Sequence, residues 1–494
     1  MQRRLLFPAR PVLAVTAALL LAAAGSRCFA ATDTAAATPG SGGRPGEDWP
    51  RFLGPRADNT SAETGLLEKW PTTGPRLLWE TNVGTGYSAP SVRGNLLVLH
   101  HRLGGEEIID AFAADSGRKV WRHAYPSTFV DPYGYNNGPR STPLLTSNRC
   151  YTFGAEGVLL CLDLPTGRVV WRRDTAREWE IPPAFFGVGS TPLLEEDRLI
   201  VLIGGQPDAG VAALDAATGR TLWQTVGRTN WQGVVTTGWR TERPYSWTGV
   251  EKQASYSSPV AATFHGQRHI LCLMRQGLVS LNPTNGAIHF SRWFQSVLGD
   301  SVNAMCPVVQ DDLILLSAAY ARVGAVVLRV KPDGNSFEEL WRAPRHPLER
   351  DPATGDWAQP VLETHWNTPV LHDGFLYAFS GRNEPDASFR CVELRTGKLR
   401  WNLDQRWAGH PPPGSKAQPE LYGRGSAILA DGKLIVLGEG GRLGLFKPTP
   451  TTPTELSSFQ VPSLYFPCWA APILSRQRIY LRSESALVCY DLSR

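Results

Sequence analysis

The sequence predicts an all-β fold, an eight-bladed β-propeller of four-stranded antiparallel blades, and three observations carry the prediction. One segment recurs along the 494-residue chain: Cys161-Leu-Asp-Leu-Pro-Thr-Gly-Arg-Val-Val-Trp171, Ala213-Leu-Asp-Ala-Ala-Thr-Gly-Arg-Thr-Leu-Trp223 and Cys391-Val-Glu-Leu-Arg-Thr-Gly-Lys-Leu-Arg-Trp401. Self-similarity at a period of roughly fifty residues, rich in β-formers around a Gly turn, is the trace that propeller blades leave in a sequence. A second motif, Ser/Thr-x-Pro or a relative of it, opens each copy. Finally, 48 Gly, 39 Pro and 17 Trp against 3 Met fit many short strands joined by tight turns.

In chain order, residues 1–30 read as a signal peptide: a basic start at Arg3 and Arg4, an apolar run from Val12 to Ala24, and small residues near Ala30. The run is too short to span a bilayer comfortably, and no later segment approaches one, so export without a transmembrane anchor is expected. The compartment expected is the periplasm or cell envelope, or the medium. Arg27 stands where a lipidation signal wants a small residue, which argues against acylation of Cys28. The Arg3-Arg4 pair leaves the general and twin-arginine export routes both open. Residues 31–47, rich in Gly, Pro, Ser and Thr, read as a disordered tether, and the propeller is expected over 48–494.

Six openings are clear: Ser88-Ala-Pro90, Ser141-Thr-Pro143, Ser190-Thr-Pro192, Ser257-Ser-Pro259, Asn367-Thr-Pro369 and Ala470-Ala-Pro472. Pro is tolerated at a strand's first residue because no ladder donor is lost there. Cys306-Pro307 and Gly425-Ser-Ala427 fill the two gaps, giving eight. Five copies end on an aromatic four residues after a Gly: Gly117 before Trp121, Gly167 before Trp171, Gly219 before Trp223, Gly286 before Phe290 and Gly397 before Trp401. These rings are expected to pack on the neighbouring blade. The last copy stops three strands in, and Leu77-Leu-Trp-Glu80, ahead of the first opening, has the missing outer-strand pattern. Pairing the two termini would close the ring and remove exposed sheet edges.

The formal charge of +5 comes largely from the leader; without its four Arg the chain carries 46 basic and 45 acidic residues. No clustered excess of Lys and Arg suggests nucleic acid. Seven cysteines follow Cys28. Cys150 and Cys161 flank the turn Gly154-Ala-Glu-Gly157, so a bridge is one reading; packing of Cys161, Cys391 and Cys489 in one repeat column is the other. Asn59-Thr-Ser61 matches a glycosylation acceptor.

The Asp/Glu-x-x-Thr-Gly-Arg/Lys-x-x-Trp turns at Asp163, Asp215 and Glu393 resemble the pyrroloquinoline-quinone (PQQ)-type propeller repeat family, across nearly all of Trp79 to Leu492. That family includes quinoprotein alcohol dehydrogenases and the non-catalytic assembly factor BamB with its relatives. The resemblance implies the scaffold and leaves the chemistry open.

Several outer-to-inner connections are far longer than a turn, and in a propeller they all emerge on one face. They include Gln224 to Ser255 (with Trp231, Trp239, Arg240, Arg243, Tyr245 and Trp247), Arg342 to His365 (with Trp357), Tyr133 to Asn137, Trp179 to Phe186, and Trp407 to Tyr422. Long loops on a rigid ring usually hold a binding surface, although they can also cover one another. The position three before each opening Pro runs Tyr87, Arg140, Gly189, Tyr256, Ala304, Trp366, Arg424, Trp469. The candidate binding residues are Tyr87, Arg140, Tyr256, Trp366, Arg424 and Trp469: rings to stack a planar group and guanidiniums to take an anion. Against that stands a plainer arrangement, in which the rings plug the channel and the arginines bond loop carbonyls.

For catalysis the sequence offers no assignable residue. No His-Glu-x-x-His, phosphate loop or Gly-x-Ser-x-Gly turn occurs, and His100, His101 and His365 stand alone. The quinone dehydrogenases of the resembled family use adjacent cysteines and a calcium ion; this chain has no Cys-Cys pair and no matching acidic set. The expectation is therefore an exported, non-catalytic propeller without metal or cofactor, binding an envelope protein, a peptide or a small planar or anionic ligand. The alternative is a periplasmic PQQ- and calcium-dependent dehydrogenase of alcohols or polyols.

Overall fold

A computed structural model describes residues 44, 46–182, 186–231, 235–236, 244–245, 254–295, 302–320, 323–344, 350, 352, 355, 360–382, 387–404 and 422–494. The leader, most of the tether, and Trp239, Arg240, Arg243, Trp247, Trp357 and the 407–421 stretch lie outside the described residues, as do the side chain of Tyr245 and residues 183–185.

Eight four-stranded antiparallel sheets follow one another in chain order. The inner strands are Ser91–Arg93, Leu144–Leu145, Leu193–Glu195, Val260–Phe264, Val308–Gln310, Val370–His372, Ser426–Ala430 and Ile473–Ser475, opening blades 1 to 8 at the expected places. The outer strand of blade 8 is Arg76–Asn82, paired with Ala486–Asp491, so the ring closes as the sequence predicted. Arg44 and Arg76 both reach Asp491 across this seam, at 2.8 and 2.6 Å. Among the described residues α-helix is confined to one turn, Thr175–Glu178, and no helix is long and apolar enough to cross a membrane.

The repeat motif explains how blades adhere. Trp121 on the outer strand of blade 1 donates its indole N–H to Leu164 O of blade 2, and Trp171 of blade 2 donates to Ala216 O of blade 3. Each indole lies flat on the turn Gly of the next blade: a Cβ at Gly167 would stand 2.5 Å from Trp121, and one at Gly219 2.8 Å from Trp171. Those turns also have φ of +70° and +74°, which L side chains rarely adopt. The Gly that precedes a Trp in sequence thus serves the Trp of the blade before.

All seven cysteines downstream of the leader are free and buried. Hairpin register puts Tyr151, not Cys150, opposite Cys161, so the two thiols point to opposite faces and the bridge is not formed. Cys161, Cys391 and Cys489 sit instead between a Tyr and a Trp on flanking strands: Tyr151 and Trp171, Tyr377 and Trp401, Tyr480 and Trp79. Packing of the column is what the structure shows.

One feature stands outside the repeat. The segment from Asp48 to Leu67 passes from blade to blade across one end of the channel. Trp49 bridges to Val92 of blade 1, Pro50 O accepts from Leu145 of blade 2, and Leu53 packs on Val260 and Cys306. Asn59 reaches Thr368 O ahead of blade 6, Ser61 bonds Leu429 of blade 7, and Leu67 bonds Leu492 after blade 8. Because this strap crosses the axis, the channel is closed at one end. Asn59 is 3% exposed and its amide is bonded, so it cannot serve as a glycan acceptor in the folded chain.

Candidate functional site

The eight positions three before each opening stand where the chain enters an inner strand, at the channel end opposite the strap. All eight line one cavity of about 340 Å³, whose base is Phe52, Leu53 and Asn59 of the strap. The site is a blind well, and its volume lies in the range of ligand pockets, roughly 300–1,000 Å³.

The rings form a chain of contacts around the mouth. Trp469 meets Tyr87 at 4.8 Å between centroids, Trp366 at 4.9 Å and Tyr135 at 5.5 Å. Phe186 meets Tyr135 at 5.8 Å and Tyr256 at 5.4 Å. The Tyr256 hydroxyl oxygen also accepts the Phe186 N–H at 2.9 Å. Burial raises the Tyr256 hydroxyl to about 12, and burial with nearby Glu484 raises that of Tyr87, so both stay protonated donors.

The two arginines are stacked and already paired. Arg140 lies over Tyr87, Phe129 and Phe186 at 5.4 to 5.7 Å, and ion-pairs with buried Asp131 at 2.5 Å. Nη1 also donates to Gly138 O and Nη2 to Asn136 O. Arg424 lies over Trp366 at 4.9 Å and Trp469 at 5.1 Å, and pairs with Glu439 at 3.0 Å. Glu439 also accepts from Trp469 Nε1 at 2.8 Å. The loop-carbonyl arrangement set out above is thus part of what Arg140 does, with a carboxylate added. These guanidiniums hold rings and loops in place while presenting one face to the well.

Further lining residues escaped the column. Arg382 lies over Tyr320 at 4.4 Å, and Tyr320 Oη meets His365 Nε2 at 3.2 Å. Burial, then Arg424 and Arg382, lower the His365 pKa to about 3, so the ring is neutral near pH 7. His365 Nδ1, Trp366 Nε1 and Asn367 Oδ1 are buried without a hydrogen-bond partner among the described residues. One signal for Asn367 was available: it replaces the Ser found at that position in Ser88, Ser141, Ser190 and Ser257. His100 and His101, in contrast, are fully buried framework, paired with Glu107 and Asp110 at 3.0 and 3.1 Å.

A family model described as outer membrane protein assembly factor BamB matches residues 105–402. The chain belongs to that family of PQQ-like propeller proteins. A curated relative, polyvinylalcohol dehydrogenase of Sphingopyxis sp. (strain 113P3), is 22% identical over 354 residues, covering 60% of this chain and 50% of the relative. The chain thus spans about half the length of the curated relative it matches. BamB from Moraxella catarrhalis superposes with a TM-score of 0.53 at 12% identity, over 84% of this chain and 97% of that one. Quinohemoprotein alcohol dehydrogenase from Comamonas testosteroni gives 0.56 at 13% identity, over 90% and 80%. At such identities the likeness concerns the fold.

The well can be tested against the quinone and calcium implied by part of the fold family. Its rings and guanidiniums suit a planar anion. Calcium needs several converging oxygen ligands, and among the described residues no group of three or more His, Cys, Asp or Glu converges. Of the acidic groups near the rim, Asp131 and Glu439 are held by Arg140 and Arg424, and Glu484 accepts from Asn136 Nδ2 at 2.5 Å. The described residues therefore bring together no carboxylate cluster for calcium.

Proposed function

We propose that this is an exported binding propeller whose blind well captures a segment of an envelope protein or a small ligand, without chemistry. The observation that carries the reading is the convergence of all eight column positions on one cavity closed by the strap. Supporting it are the unpartnered polar atoms at His365, Trp366 and Asn367, which a ligand would satisfy. The test compares capture from an envelope extract by the wild type and by the Tyr256→Ala/Trp366→Ala variant. Loss of specific retention with an intact circular dichroism spectrum is expected; identical retention overturns the reading.

The name of the Sphingopyxis relative favours a second reading, oxidation of an alcohol or polyol, for which the resemblance to the PQQ-type repeat family suggests a quinone. Adding quinone and calcium to the purified protein and following cofactor absorbance and dye reduction decides it. Activity would displace the binding proposal; a folded, inactive protein would retire the dehydrogenase.

A further inference from the structure

The well is lopsided. Toward blades 2 to 4 its wall is ring surface, with Tyr133, Tyr135, Phe186 and Tyr256. Toward blade 6 it is polar and unsatisfied. Asn367, 6% exposed, and Trp366 both line the well, and Asn367 Oδ1 and Trp366 Nε1 are buried beside it without a hydrogen-bond partner among the described residues. Next to them is Arg382, joined to His365 through Tyr320.

Charge separates Arg382 from the other two arginines of the lining. Arg140 and Arg424 are neutralised by Asp131 and Glu439, whose side chains are 0% and 2% exposed. Arg382 is exposed and has no carboxylate within ion-pair distance among the described residues. Besides tyrosine hydroxyls and His365 Nδ1, the described lining thus brings together one cation without a carboxylate, one unpartnered indole N–H and one unpartnered amide oxygen, above the floor made by the strap.

We propose that the well takes the C-terminal end of a polypeptide with an apolar last residue, an assignment that rests on the well being a binding site. A closed well admits an end and not a continuous strand. The α-carboxylate answers Arg382 and the Trp366 N–H, and the last backbone N–H answers Asn367 Oδ1. A simple carboxylic acid lacks that donor, and a polycarboxylate brings more charge than the lining balances. The terminal side chain lies against Phe186 and Tyr256. Residues before it meet the exposed rings at the mouth, Tyr465 at 70% and Phe466 at 59% exposure; Phe466 touches Trp469 at 5.8 Å.

The probe is a pool of fluorescein-labelled hexapeptides of mixed sequence ending in Phe, Tyr, Leu or Val, made as free acids and as C-terminal amides. Fluorescence anisotropy with the full protein should show the acids binding about ten-fold tighter, the scale of one charge-assisted hydrogen bond. Arg382→Gln should bring the acids to the amide level without altering the circular dichroism. Equal binding of acids and amides, or a preference that survives Arg382→Gln, overturns the assignment and leaves the well as a binding site. Binding by neither pool also overturns it, whereas the broader reading falls only if capture survives Tyr256→Ala/Trp366→Ala. N-acetylphenylalanine competing as tightly as the hexapeptides would replace the polypeptide by a free N-acyl amino acid.

Discussion

At the outer edge of the ring, Trp79, Trp121, Trp171, Trp223 and Trp341 each lie on the turn Gly of the following blade. At the inner edge, the equivalent positions carry Tyr87, Arg140, Gly189, Tyr256, Ala304, Trp366, Arg424 and Trp469, with little repetition. The blades are the same size and share one backbone plan, so geometry does not demand this variety. Repetition marks where neighbouring blades must satisfy one another; variation marks where the protein meets something else, or where loops of unequal length must be held. Arg140 and Arg382 represent those two uses of the rim, and substitutions can separate them.

The largest effect is expected at Arg140. Arg140→Ala would leave Asp131, fully buried, without its counter-charge, at a cost of about 3–5 kcal/mol. Urea unfolding measures it. A loss below about 1 kcal/mol, the scale of an exposed ion pair, would move Arg140 out of the framework.

Next comes the belt. Gly167→Ala adds a Cβ 2.5 Å from Trp121 at φ +70°; the left-handed backbone and the overpacking together should cost about 2–5 kcal/mol. Gly104→Ala is the control, since at φ +58° it meets nothing within 4 Å and bears only the backbone term, about 1–2 kcal/mol. Equal losses at the two sites would mean that the Trp-on-Gly contact yields freely.

The pH profile probes the rim from another side. His365 is half-buried and neutral, with a pKa of about 3, against about 6.5 in the unfolded chain. Between those values the unfolded chain binds the proton and the folded chain does not, so stability falls as pH drops from about 6.5 toward 3. His365→Gln should flatten that part of the curve. An unchanged slope would show that His365 meets enough water to titrate normally, and that the blade 6 wall is wetter than its burial implies.

Much of this was readable in the chain. Blade number, closure by Trp79 and the rim column follow from a motif that repeats, because a repeated contact needs the same residues each time. The strap does not repeat. It meets the ring at scattered and unlike points, as where Asn59 bonds Thr368, 309 residues away, and no local pattern announces such a contact. Its effect on function is large, since it turns a channel into a well. Arg382 was equally hidden, lying after Ser380 in a hairpin where no column had been read. The pairing of Arg140 with Asp131, nine residues apart on one loop, also has no periodic signal, so an arginine spent on its own loop looked like one offered to a ligand.

The smallest stability effect should come from Arg382. It is exposed and its one strong contact is the Tyr320 ring at 4.4 Å, so Arg382→Gln should cost no more than about 0.5–1 kcal/mol, the range of an exposed cation–π contact. Arg140→Ala and Arg382→Gln thus form a pair on one rim, one predicted to unfold the protein more easily and the other to leave it stable. A loss at Arg382 comparable to that at Arg140 would place it in the framework as well. The rim would then hold only loop supports, and ligand recognition would have to rest on Trp366, Asn367 and the aromatic wall.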